Sequence, residues 1–195
     1  MFVIENAIDP SLIHGVNANW PDESWRGWHR YRGKDSVKYG TRDAEMILRC
    51  AWPALYQIAS VADRLAPPGS FPDWELSGAG MHMIPSGGHL SRHLDSDHME
   101  ATGWRRELSV VLFCNPEWED DWGGAFSIDG ESDVYPKFNQ MVIFETTDTS
   151  AHEVRKVTGP EPRKTLSLFF WSTDPSAKKR PRAAFLDKLQ NQPCR

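Results

Sequence analysis

His93-Leu94-Asp95 sets an imidazole and a carboxylate two residues apart. In an extended strand two such side chains share one face. A third donor lies far downstream, at His152 in Ser-Ala-His-Glu-Val. Two histidines and one carboxylate form the facial triad that holds non-haem Fe(II) and leaves coordination positions open. Beyond His152 stands Arg163, at the head of Arg-Lys-Thr-Leu-Ser-Leu-Phe-Phe-Trp. Its guanidinium could clamp the far carboxylate of a dicarboxylate co-substrate at two points. His-x-Asp alone is a weak signal in a chain with 7 histidines, because a surface histidine beside a solvated aspartate reads the same way. The specific signal is the whole set: a pair on one strand, a histidine before a second strand, an arginine at a strand's start, and apolar strands between.

Short strands must carry these groups. Residues 79–84, 89–95, 107–114, 125–128, 140–145, 153–157 and 165–172 read as strands, with a further candidate at 74–77 and a weaker one within 1–8. In 107–114, Leu108, Val110 and Leu112 face one way and Ser109, Val111 and Phe113 the other. At the last strand Arg163, Thr165 and Ser167 share a face, opposed to Leu166, Leu168 and Phe170. A polar cavity face backed by an apolar surface gives that pattern. Parity therefore favours Arg163 over the adjacent Lys164 as the carboxylate clamp. Thr165 then stands beside Arg163, where its hydroxyl could donate a second hydrogen bond, although a β-former at a strand edge explains it as readily. Turns at Pro85-Ser86-Gly87-Gly88 and Asp129-Gly130-Glu131-Ser132 separate strands. Trp122-Gly123-Gly124 predicts a bulge or a close backbone approach near the site.

Before residue 74 the pattern differs. Asp9-Pro10-Ser11 opens a turn or helix. Residues 20–40 are dense in Trp20, Trp25, Trp28, Tyr31, Arg32, Lys34, Lys38 and Tyr39, and read as an irregular segment covering the core or a lid over the metal. Asp43 is an N-cap for a helix from Ala44, and Pro53 divides that helix. Leu55, Ile58, Ala59, Ala62 and Leu65 recur at helical spacing until Pro67-Pro68-Gly69 stops them. Such helices carry no concentrated polar chemistry and read as a layer supporting a sheet, or as a dimer surface. The tail from Pro175 is basic at Lys178, Lys179, Arg180 and Arg182, followed by a helix over 183–190. It reads as solvated surface, with an acidic partner as the other reading. The chain thus divides into a helical or lid region (1–73), a β core (74–173) and a basic tail (174–195) within one domain.

A length of 195 residues suits one domain with a sizeable core. Apolar residues at 39% and charged residues at 25% give an ordinary soluble composition. The net charge of −5 argues against a nucleic-acid partner held through phosphates. No apolar run approaches a membrane span, and no signal-peptide pattern opens the chain. Cys50, Cys114 and Cys194 are odd in number and far apart, so they read as free thiols in a reducing compartment, and the expected location is the cytoplasm. Many short strands after a helical section mean a double-layered β fold, and pattern alone does not choose the jelly roll over another sandwich.

Residues 79–173 resemble the 2-oxoglutarate- and Fe(II)-dependent dioxygenases, in particular the prolyl 4-hydroxylase-like branch. The resemblance rests on Gly87-Gly88, His93-Leu94-Asp95, Arg106 to Asn115-Pro116-Glu117-Trp118, Trp122-Gly123-Gly124, Pro136-Lys137-Phe138, His152-Glu153-Val154 and Arg163 with Leu166 to Trp171, in that order. It implies a mainly β fold with supporting helices and a double-stranded β-helix (jelly-roll) core. It implies Fe(II) held by His93, Asp95 and His152, with 2-oxoglutarate and O2 as co-substrates and ascorbate as a stimulant. Arg163 would pair with the 5-carboxylate of 2-oxoglutarate. The products would be succinate, carbon dioxide and a hydroxylated C–H. A carboxylate at Asp95 fills the position left vacant for halide in related halogenases, so hydroxylation is expected.

The sequence departs from the family at two positions. The co-substrate tyrosine two residues before Asn115 is Phe113 here. The second family tyrosine falls near Met81-His82-Met83-Ile84, where His82 could take over as a hydrogen-bond donor to 2-oxoglutarate or simply pack on its strand. Resemblance favours a prolyl residue of a peptide or protein as substrate. Asp97, His98, Arg92, Trp122 and residues 20–40 are candidate rim positions. A free amino acid or other small molecule is the alternative substrate, and a non-catalytic metal-binding jelly roll is the third reading.

Overall fold

A computed structural model describes residues 1–174 and 180–186. In chain order the elements are β1 (Phe2–Ile4), α1 (Pro10–Ala18), β2 (His29–Arg32), β3 (Ser36–Thr41), α2 (Ala44–Met46), a π-helical turn (Ile47–Ala51), α3 (Trp52–Ala62), β4 (Phe71–Pro72), β5 (Gly80–Ile84), β6 (His89–Leu94), β7 (Arg105–Phe113), a 3-10 turn (Asp120–Trp122), β8 (Phe126–Ile128), β9 (Met141–Glu145), β10 (His152–Val154), β11 (Arg163–Ser172) and β12 (Ala184–Phe185). The strands pair antiparallel along the path β1-β9-β7-β11-β5-β3-β6-β10-β8, with β2 on β3, β4 on β11 and β12 on β6. This sheet curls into the half-barrel of a jelly roll, the double-stranded β-helix expected from the resemblance.

Period-two alternation splits the interior into two apolar layers. Leu108, Val110, Leu112, Met141, Ile143, Leu166, Leu168 and Phe170 face the helices, where Ile13, Val16, Ala54, Leu55, Ile58 and Ala62 meet them. The opposite faces of the same strands give Phe113, Val142 and Phe144, which pack with Ile84, Phe126, Ile128, Val154 and Val157 inside the curl. The helices thus hold one face of the sheet rigid while the other lines the cavity. Asp9 caps α1 by accepting from the Ser11 amide at 2.9 Å, and Asp43 caps α2 through the Met46 amide at 2.9 Å. Pro53 lies just after the π-helical turn, inside a helical run that continues from Ala44 to Ala62, and its missing N–H interrupts the hydrogen-bond ladder there without ending the run. Leu65 lies past the end of α3 and is exposed rather than core.

Several expectations need correcting. Residues 20–28 are irregular, with Trp20, Trp25 and Trp28 packed on the core as expected, but 29–41 are not, because β2 and β3 form a hairpin whose second strand pairs with both β5 and β6. The strand expected at 74–77 is a turn. Asp73 accepts from the Glu75 and Ser77 amides at 3.0 and 2.8 Å, and Leu76 takes a positive φ of 53°. The extended pair there is β4, two residues earlier. The strand expected over 153–157 is limited to His152–Val154. The expected helix over 183–190 begins instead with β12, paired to β6, and its remainder lies outside the described residues, as do Lys178, Lys179 and Cys194. Among the described residues no helix is long and apolar enough to cross a membrane.

Candidate metal centre and co-substrate pocket

His93 lies near the end of β6 and His152 opens β10, and the two residues are direct register partners. Their rings stand 4.3 Å apart, centroid to centroid. Asp95 follows the last residue of β6 and brings one oxygen to 3.5 Å from His93 Nε2 and the other to 3.8 Å from His152 Nε2. One ligand atom from each of the three lies within 4.8 Å of the other two. Each histidine turns its Nδ1 to a backbone carbonyl two residues earlier, Ser91 at 2.9 Å and Ser150 at 2.9 Å. A carbonyl only accepts, so Nδ1 carries the proton and Nε2 presents its lone pair to the centre. Burial pushes His152 down to about 4, with Asp95 opposing. It is therefore neutral, the form a metal needs.

Sequence reading did not find the groups that hold Asp95. Arg106 donates to the carboxylate at 2.9 Å, and the Ser109 hydroxyl reaches the same oxygen at 3.1 Å. Arg106 also donates to Ser109 at 2.9 Å, and its guanidinium carbon lies 3.2 Å from the Phe169 ring centroid. Burial would raise the Asp95 carboxyl, but Arg106, then His152 and His93, outweigh it and hold the group well below the usual carboxylate range. Arg106 shares strand parity with the helix-facing Leu108. Opposite the Phe170–Trp171 step of β11, β7 carries one extra residue, Glu107, so Arg106 is shifted by one in the pairing relative to Leu108, and no local pattern announces it. The other side of the loop is tied by Arg180, whose Nε donates to the Asp95 carbonyl at 2.6 Å and whose amide donates to Asp97 at 2.7 Å. Phe185 of β12 faces His93 across the register, ring centroids 5.4 Å apart.

Arg163 is buried at the head of β11. Its Nε donates to the Gly124 carbonyl at 2.9 Å, while its Nη2 is buried without a partner. That orphaned donor suits an incoming carboxylate. Burial pushes Arg163 down to about 9, so it stays cationic at neutral pH. The Asn115 side chain fixes the start of the strand by donating to the Pro162 carbonyl at 2.8 Å and accepting the Lys164 amide at 2.7 Å. Gly124 has φ 68°, and a Cβ there would stand 3.0 Å from Trp118 and 3.3 Å from the Arg163 side chain. The close backbone approach expected of Trp122-Gly123-Gly124 is thus the seat of Arg163.

Thr165 is buried two residues along the same face, in register with both His82 and Phe113. The Arg163 guanidinium carbon lies 4.9 Å from the Phe113 ring centroid, so the missing tyrosine is replaced by an apolar platform. His82 Nδ1 lies 3.3 Å from the Ser167 hydroxyl. Burial, then the cations Lys38, Arg163 and Arg106, push His82 down to about 3, so the ring is neutral. Of the rim candidates, Arg92 is paired with Asp129, Asp97 is buried against His98 and Arg180, and Trp122 packs edge-on to Trp118.

Fold and site together define a jelly-roll protein with a two-histidine, one-carboxylate triad that could hold a metal and a buried arginine in the same curl. Residues 79–171 match the family model of the 2OG-Fe(II) oxygenase superfamily. Over that span, just under half of its length, the chain is similar to the superfamily, and its fold is prolyl 4-hydroxylase-like. A Pseudomonas putida prolyl-4-hydroxylase superposes with a TM-score of 0.64 at 20% identity, covering 89% of this chain and 92% of that one. A Trichoplax adhaerens prolyl hydroxylase, solved with a hypoxia inducible factor oxygen degradation domain peptide fragment, gives 0.59 at 17% identity over 88% and 83% of the two chains. Prolyl 3-hydroxylase OGFOD1 of Mus musculus is 29% identical over 86 residues, 39% of this chain and 16% of that protein. The alignment thus spans about a sixth of that relative's length.

Proposed function

We propose that this chain hydroxylates a prolyl residue of a peptide or protein, with His93, Asp95 and His152 holding Fe(II) and Arg163 holding 2-oxoglutarate. The observation that carries the reading is the pairing of two features. Three N/N/O donor atoms converge within 4.8 Å, and a buried guanidinium on the neighbouring wall keeps one nitrogen unpartnered. The donor set fits a facial Fe(II) site, and the orphaned Nη2 fits a carboxylate.

Bound Fe(II), with 2-oxoglutarate and O2, supplies oxidation of an unactivated C–H as the co-substrate loses CO2 and becomes succinate. The chain's own residues arrange the reactants. Ser91 and Ser150 carbonyls fix the histidine tautomers, and Arg106 with Ser109 keeps Asp95 ionised and oriented. Arg163 Nη2 takes the far carboxylate, and the Thr165 hydroxyl lies beside it on the strand. His82, held neutral, can donate from its ring toward the bound co-substrate. The apolar layer of Phe113, Val142, Phe144 and Val154 lines the curl beside the triad, with the Phe144 ring 4.7 Å from that of His152, and excludes water there. Prolyl hydroxylases among the structural relatives support the substrate class.

An anaerobic titration of metal-free protein with Fe(II) and 2-oxoglutarate tests the site through the visible charge-transfer band of the chelate. His152→Ala should abolish the band. Arg163→Met should raise the half-saturating 2-oxoglutarate by roughly 10–100-fold, the value of a charge-assisted pair. Succinate release with prolyl peptides, against free proline and other small molecules, then tests the substrate. An iron-loaded, folded protein with no band would sink the co-substrate assignment.

A further inference from the structure

A third cation faces the cavity. Lys38 lies on β3, the strand that bridges β5 and β6. Its neighbour at two residues' distance, Gly40, is in register with His82. A Cβ at position 40 would stand 2.8 Å from the His82 ring, so this face of β3 is closed over the His82 side of the cavity. Strand alternation puts Lys38 on that same face. Its half-buried ammonium lies 5.2 Å from the ring centroid of Tyr31, its cross-strand partner. The charged groups that act on it are Asp95, which attracts it, and Arg106 and Arg163, which repel it. Burial is the larger influence and pushes its pKa down.

Lys38 has no hydrogen bond or ion pair among the described residues. Asp95 is engaged by Arg106 and Ser109 and is the carboxylate of the triad. Arg163 would answer one carboxylate of 2-oxoglutarate, which leaves Lys38 as a cation without a counter-charge. A partly desolvated ammonium with only the Tyr31 ring beside it, and no hydrogen-bond acceptor, is destabilising to the empty protein. That arrangement is expected where a ligand brings the missing charge.

Building on the proposed function, we infer that Lys38 is a carboxylate-binding residue of the active-site cavity. The carboxylate comes either from the iron-side end of 2-oxoglutarate or from the substrate. In both cases the ammonium donates charge-assisted hydrogen bonds that a neutral side chain cannot replace.

The test compares wild type, Lys38→Met and Lys38→Arg in two arms, each protein first checked by circular dichroism. In the first arm, anaerobic Fe(II) protein is titrated with 2-oxoglutarate and the chelate band is followed. In the second, calorimetry measures binding of two probe pairs to the anaerobic Fe(II)–2-oxoglutarate complex. The pairs are L-proline against L-prolinamide, and acetyl-Glu-Pro-Ala amide against acetyl-Gln-Pro-Ala amide. A rise of about tenfold or more in half-saturating 2-oxoglutarate for Lys38→Met, restored largely by Lys38→Arg, assigns the co-substrate carboxylate. Unchanged 2-oxoglutarate binding, with a wild-type preference of about tenfold for an anionic probe that Lys38→Met loses, assigns a substrate carboxylate. A wild-type band with neither arm changed, including no binding of any probe, overturns this inference alone. No band in wild type overturns the proposed function and this inference with it.

Discussion

His82 shows how a single residue reports the polarity of the cavity. Its pKa is pushed from 6.5 down to about 3 by burial and by three cations. The folded protein therefore binds fewer protons than the unfolded chain once pH drops below about 6.5. Stability from the neutral ring is complete above that pH and is lost progressively as pH falls toward 3. His152, pushed down to about 4, acts with the same sign. The melting temperature of metal-free protein should thus fall between pH 7 and pH 5, and His82→Gln should flatten part of that fall. An identical slope in the variant would remove His82 from the account. This window is separate from that of Asp95, whose depressed carboxyl matters only in stronger acid.

At the scale of elements, two pieces outside the triad set its geometry. One is the Gly123-Gly124 turn. Gly124 has φ 68° and offers its carbonyl to Arg163 while leaving 3.3 Å between an added Cβ and the arginine side chain. Gly124→Ala should destabilise the fold by about 1–3 kcal/mol, from backbone strain and crowding together. Urea unfolding reads that loss, and 2-oxoglutarate should bind more weakly in the surviving folded protein. The other piece is the segment from Arg180 to β12. It ties the Asp95 loop through the Arg180 Nε contact at 2.6 Å, and Arg180 also reaches Asp148 at 3.1 Å. Arg180→Met should lower metal affinity by about tenfold, the usual effect of losing a group that orients a ligand. Competition with a colorimetric chelator measures this, and an unchanged affinity would mean that the loop holds its shape alone.

For the whole molecule, the two apolar layers divide the labour. The helix-facing layer stabilises the sheet, and the inner layer borders the site. Leu55 on α3 is fully buried in the helix-facing layer, among side chains that line no ligand. Leu55→Ala should destabilise the protein by about 2–5 kcal/mol through the lost burial and the cavity left behind. Metal affinity per folded molecule should stay unchanged, because the triad sits on the other side of the sheet. A combined loss of stability and metal affinity would show that the helices steer the site directly. The hairpin of β2 and β3 crosses this division. Its Tyr39 joins the helix-facing core while Lys38 faces the cavity.

The candidate site was legible in the sequence because its residues are marked by type and strand parity. His93, Asp95, His152 and Arg163 could be picked out by spacing, and the alternation at β11 assigned Arg163, Thr165 and Ser167 to one wall. The apolar runs of β7, β9 and β11 and the capped helices could be read the same way. The resemblance, rather than any pattern, chose the jelly roll. Tertiary structure alone decided the rest. Arg106 reaches Asp95 from a strand, β7, whose pairing with β11 slips by one residue at Glu107. Lys38 enters the cavity only because β3, short and ending in Gly40-Thr41, is inserted between β5 and β6. Arg180 and Phe185 reach the metal loop from residues distant in sequence, through pairing that no local pattern encodes. A side chain's type and its strand face are local properties of the chain. Its partner across the sheet is fixed by long-range register, which exists only once the strands have folded together.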